Sequence, residues 1–185
     1  MAPVGSRESL AAAIQAGADS IYFGIGQLNM RSHSANHFTI DDLKEIAATC
    51  HEHGMKSYLT VNTIIYGEDL ETMRQIIDAA HEAKVSAVIA SDVAVMTYCR
   101  QVGVEVHLST QLNISNIEAL KFYAQFADVV VLARELSLAE ISEISEKTSV
   151  ELETFVHGAM CISYSGRCLL SAYLTGRDGN RGACT

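Results

Sequence analysis

The chain has 185 residues, 49% of them hydrophobic and 19% charged, which suits one domain with a substantial core and is too apolar for disorder. Its 22 acidic and 13 basic side chains give a net charge of −9, a balance that repels nucleic acid over the surface as a whole. No apolar run is long enough to cross a membrane and the N-terminus carries no basic segment followed by an apolar one, so the expectation is a soluble cytoplasmic protein with no membrane partner.

In chain order, MAPVG (1–5) reads as the tail of a strand and residues 7–16 as a helix. SIYFG (20–24) is a β-branched and aromatic run, followed by the long connection IGQLNMRSHSANHF (25–38). Thr39 with Asp42 opens a helix whose stripe is Ile40, Leu43, Ile46, Ala47 and Cys50, and Gly54 closes it. KSYLTVN (56–62) precedes a helix carrying Leu70, Met73, Ile76, Ile77 and Ala80; SAVIAS (86–91) precedes the stripe Val95, Cys99, Val102, closed by Gly103. EVHLST (105–110) leads to Ile117, Leu120 and Ala124, and DVVVLA (128–133) to Leu138, Ile141 and Ile144. ELETFVH (151–157) is the last strand-like run.

Strands alternating with helices imply βαβ units and a parallel sheet. Seven strands are countable, one short of a (β/α)₈ barrel, which typically needs about 250 residues. The fold class expected is therefore α/β, a parallel (β/α)₈ TIM-type barrel that is incomplete at both ends, with residues 1–185 as a single domain. An open doubly wound sheet is the alternative, weakened because no Gly-rich phosphate loop follows the first strand.

In such a barrel the loops after the strands form the active site. Those positions hold Asn62, Ser91, Asp92, Thr110, Gln111, Asn113, Arg134, Glu135 and His157. A ring of amides, hydroxyls and charges suits a small polyhydroxylated or carboxylated ligand. Asp92 and Ser109 equally suit helix caps, whereas Gln111 and Arg134 are not preferred cap residues. His157, four residues before Cys161, invites a nucleophile-and-base reading, but no third orienting group accompanies it. The HEH run at 51–53 lacks the four-residue histidine spacing of zinc proteases.

Five cysteines divide into two groups. Cys50 and Cys99 fall on apolar stripes and read as small buried hydrophobes. Cys161, Cys168 and Cys184 fall on none, and their separations of 7 and 16 are not those of zinc ribbons or bacterial ferredoxins. Spacing alone leaves metal binding and an unliganded loop both open. Arg167, Arg177 and Arg181 with Asp178 give this segment a positive local charge, which lowers thiol pKa values and can anchor a phosphate or carboxylate.

The stretch ETFVHGAMCISYSGRCLLS (153–171), with Glu153, Phe155, Gly158, Ala159, Cys161, Gly166, Cys168 and Ser171, resembles the signature of the collagenase-like peptidase family, U32. NMRSHSANHFT resembles that family's NxRxxAxNFT segment, with Arg31 and Asn36 at matching positions and Ser32 and His37 departing from it. HLSTQLN (107–113) and VLARELSLAEI (131–141) also resemble family segments.

The family includes tRNA and 23S ribosomal RNA hydroxylation proteins. The resemblance implies that this chain is the N-terminal part of a longer member. It also implies a [4Fe–4S] cluster on four cysteines, three of which map onto Cys161, Cys168 and Cys184, with the fourth downstream of Thr185. Gln111, Arg134, Glu135 and His157 are expected to be catalytic. Arg31, Asn36, Arg177 and Arg181 are expected to bind the cofactor or a prephenate-type small carboxylate.

The function this favours is oxygen-independent hydroxylation of RNA, with RNA held by regions outside this chain. A collagenase-type endopeptidase acting on a peptide, and an iron–sulfur partner without its own chemistry, are the alternatives. Unpaired sheet edges would further favour a homodimer.

Overall fold

The computed structural model describes residues 1–30, 38–157 and 169–176. Seven parallel strands form one sheet in sequential order: β1 (Ala2–Pro3), β2 (Ser20–Gly24), β3 (Lys56–Val61), β4 (Ala87–Ala90), β5 (Val106–Leu108), β6 (Val129–Val131) and β7 (Glu151–Glu153). Among the described residues seven α-helices accompany them: α1 (Arg7–Gln15), α2 (Ile40–Glu52), α3 (Leu70–Ala83), α4 (Val93–Val102), α5 (Ile117–Tyr123), α6 (Leu138–Glu146) and α7 (Leu169–Thr175). Sequential parallel order with a helix at each of the first six crossovers is that of a TIM-type barrel, here an incomplete one that curls as a half-barrel. It is not the reversed strand order of a doubly wound sheet.

Alternation along the strands separates two faces. Ile21 and Phe23 of β2, Leu59 and Val61 of β3, Val88 and Ala90 of β4, and Val106 and Leu108 of β5 join the main core beneath the helices. Leu43, Ile46, Ala47 and Cys50 of α2 and Met73, Ile76, Ile77 and Ala80 of α3 pack onto that outer face. The inner face carries Tyr22, Tyr58, Ala87 and Ile89, a smaller and separate apolar cluster. Replacing Leu43 or Ile77, both fully buried, with alanine would leave a cavity and cost about 2–5 kcal/mol.

The expected local signals are in place. The backbone N–H and hydroxyl of Thr39 both donate to Asp42 Oδ2 at 2.8 Å. Gly54 and Gly103 take φ of +67° and +80°, the left-handed geometry that ends a helix.

Every strand but β2 is shorter than its sequence run. β5 stops at Leu108 because Thr110–Leu112 turns into a 3₁₀ segment. β6 ends at Val131. β7 ends at Glu153 rather than His157: it has β6 alone as a neighbour, and its last ladder bond is Leu132 N–H to the Glu153 carbonyl at 3.0 Å. Beyond it Phe155 and Val156 are exposed. The run LLSAYLT, to which the sequence reading assigned no element, is helical in α7, in keeping with its leucines and alanine.

Candidate functional site

The C-terminal ends of β2 to β6 converge on a hydrogen-bonded rim. It begins at β2, where a Cβ on Gly24 would collide with the side-chain amide of Asn29. That amide folds back, Nδ2 donating to the carbonyls of Ile25 at 3.1 Å and Gly26 at 3.2 Å. The loop so held brings the Met30 N–H to Asn62 Oδ1 at 3.2 Å. Asn62 Nδ2 in turn donates to Ser109 Oγ at 3.3 Å, and Ser91 Oγ donates to the Asn62 carbonyl at 2.8 Å. One asparagine thus ties together the ends of β2, β3, β4 and β5.

Gln111 joins this network through its backbone N–H, which donates to Ser109 Oγ at 3.3 Å. Its side-chain Oε1 is buried and has no hydrogen-bond partner among the described residues. A buried acceptor without a donor carries a desolvation penalty of about 1–3 kcal/mol, so Gln111 is a residue a ligand's N–H or O–H would satisfy. Thr63 Oγ1 is likewise buried without a partner.

Farther round, Thr110 Oγ1 donates to the Leu132 carbonyl at 3.3 Å and Ala133 N–H to the Ile114 carbonyl at 2.9 Å. These bonds bring the turn after β6, with half-buried Arg134 and exposed Glu135, beside the 3₁₀ segment that carries Gln111.

The two ambiguous residues act as caps. Asp92 Oδ1 accepts from Ala94 N–H at 2.9 Å at the start of α4, while its Oδ2 accepts from Ile65 N–H at 3.1 Å. Ser109 caps the 3₁₀ segment yet also belongs to the rim.

His157 is exposed, four residues beyond the end of β7. Arg31, Asn36, Cys161, Cys168, Arg177, Arg181 and Cys184 lie outside the described residues. Cys50 and Cys99 are fully buried, free thiols on the core faces of α2 and α4. Burial pushes both thiols up, Cys99 to about 12, so neither is a nucleophile at neutral pH. No group of three metal-ligating side chains occurs among the described residues, and none of their helices is long and apolar enough to cross a membrane.

Sequence reading gave Tyr58 and His107 no role of their own and Glu153 only a place in the family signature. Their signal was present in alternation: Glu105, His107 and Ser109 fall on one face of β5 while Val104, Val106 and Leu108 fall on the other.

Fold and rim together define an α/β protein of the TIM-barrel class, incomplete, with a polar, hydrogen-bonded rim at the strand ends. The chain belongs to peptidase family U32, whose sequence model matches residues 5–185. It is 58% identical to a protein named collagenase from Porphyromonas gingivalis, over 100% of this chain and 47% of that protein. It is 42% identical to tRNA hydroxylation protein P1 of Bacillus subtilis, over 100% of this chain and 44% of that protein. The chain thus spans less than half the length of these relatives. A solved U32 peptidase superposes with a TM-score of 0.69 at 18% identity, covering 83% of this chain and 66% of that one, which supports the fold.

Proposed function

We propose that this chain is the barrel portion of an iron–sulfur enzyme, or enzyme subunit, for oxygen-independent hydroxylation of RNA. The observation that carries the reading is similarity over the whole chain to a tRNA hydroxylation protein, joined to three thiols that lie on no apolar stripe. Thiolates are the donors that suit soft iron, and Cys161, Cys168 and Cys184 would hold the cluster. When bound, the cluster would supply redox chemistry. The rim would bind and orient a small carboxylate: Arg134 offers a bidentate cation, Gln111 Oε1 accepts from a hydroxyl, and Asn62 keeps the loops in place. Arg31, Asn36, Arg177 and Arg181 are candidates for the same ligand. Glu135 and His157 are candidates for proton transfer. RNA would be bound by surfaces other than this acidic chain.

A second reading, a collagenase-type endopeptidase, is favoured by the name of the 58% identical relative. Against it, the two thiols described are buried and high in pKa, so a peptidase nucleophile would have to come from elsewhere.

Anaerobic purification of the intact protein tests the first reading. Iron, sulfide and broad visible absorbance are expected, and Cys168→Ala should remove all three together. Arg134→Ala should abolish hydroxylation with the fold and the iron retained. An active, cluster-free wild type would overturn the assignment.

A further inference from the structure

The loop after β2 and the 3₁₀ segment after β5 meet at the rim, and a single side-chain amide lies between them. Asn62 directly follows β3. Its carbonyl accepts from Ser91 Oγ at 2.8 Å, which ties its backbone to the end of β4 and leaves the side chain to turn only about its own torsions.

The amide has one allowed orientation. The Met30 backbone N–H can only donate, so the atom it meets at 3.2 Å is Oδ1, and Nδ2 is thereby turned to Ser109 Oγ at 3.3 Å. Ser109 Oγ also accepts from the Gln111 N–H at 3.3 Å. Both lone pairs of that hydroxyl are then taken, and its proton has no acceptor among the described residues. Met30 and Gln111 are thus the two ends of one chain of hydrogen bonds. All three bonds are long for N–H···O, so turning the amide toward one neighbour weakens its hold on the other. On the loop side, Asn29 is 3% exposed and its amide is folded onto the carbonyls of Ile25 and Gly26, so a shift at Met30 passes into a braced segment.

We infer that Asn62 is a positioning residue: its amide couples the loop after β2 to the segment carrying Gln111, and it acts on a rim ligand through those two segments. The consequence for a ligand rests on the small-carboxylate reading of the rim; the coupling itself does not.

Amide hydrogen exchange in the ¹⁵N-labelled 185-residue chain tests the coupling. Ser109→Ala removes a group that makes no bond to Met30, yet it should speed exchange of the Met30 N–H about threefold or more, the weight of a weakened hydrogen bond. In Asn62→Ala that exchange should already be fast, and adding Ser109→Ala should change it no further. Asn62→Asp should keep it slow, because a carboxylate accepts from Met30 and the unspent Ser109 proton can turn to it. In the intact protein, Asn62→Ala should weaken binding of prephenate, used as the small-carboxylate probe, about fivefold or more, since the loop must then be ordered at binding; the iron content should not change. Met30 exchange that is indifferent to Ser109→Ala, or as fast in Asn62→Asp as in Asn62→Ala, overturns the coupling. Unchanged prephenate affinity in Asn62→Ala overturns the positioning role. A wild type that shows the coupling but binds no prephenate overturns the small-carboxylate reading, and the positioning role with it, while the coupling stands.

Discussion

At the scale of single residues, Glu153 shows what the inner face costs. Burial is the largest influence on its carboxyl and raises it above the ordinary value of 4.5. Between 4.5 and that raised value the native chain holds more protons than the unfolded one. Stability therefore falls as pH rises through this window and levels off above it. Glu153→Gln keeps the shape and removes the ionisation. The expected outcome is a gain of about half a kcal/mol at neutral pH, small because solvent screens a partly exposed group, and a flatter stability profile just above 4.5. Urea unfolding across that range measures both. A variant less stable than wild type at neutral pH would mean that the carboxylate already has a favourable partner.

At the scale of elements, much was legible because local chemistry and tertiary packing agree. Thr39 and Asp42 announce α2, Gly103 ends α4, and the apolar stripes on α2, α3 and α4 coincide with the buried faces except at Ile40, which is exposed. Strand lengths were less legible. DVVVLA and ELETFVH continue as β-branched or apolar runs past the points where the ladder ends, because pairing depends on a neighbouring strand that periodicity does not report. The rim was legible as residue types but not as connections: nothing in the sequence says that Asn62 reaches both Met30 and Ser109.

One α-helix ends on a left-handed residue that is not glycine. Lys84 closes α3 with φ of +58°, a left-handed conformation that costs a non-glycine residue about 1 kcal/mol. Lys84→Gly is expected to stabilise the chain by about 0.5–1 kcal/mol, since glycine adopts that geometry without a Cβ clash. The urea midpoint should rise with an unchanged slope. No rise would show that the lysine side chain contributes as much as the backbone strain removes.

At the scale of the whole molecule, the seven strands form one sheet that curls as a half-barrel. Yet β1 and β7 each pair on one side only, and unpaired edges favour association. Close in sequence to the end of β7, Phe155 and Val156 are exposed, as are Leu169, Leu170, Tyr173 and Leu174 of α7. Apolar exposure of this kind drives self-association, whereas a charge of −9 on every copy opposes it. Salt separates the two effects. Screening shortens the range of repulsion to about 8 Å at physiological ionic strength and leaves apolar burial intact. Sedimentation velocity should therefore show concentration-dependent dimers that strengthen from low to physiological salt. Leu169→Lys combined with Tyr173→Lys should weaken them at every salt concentration, even though the added positive charges reduce the net repulsion. Dimers that instead dissolve as salt rises would be held by ion pairs, and a chain that sediments as a monomer throughout would show that neither the edges nor α7 associate.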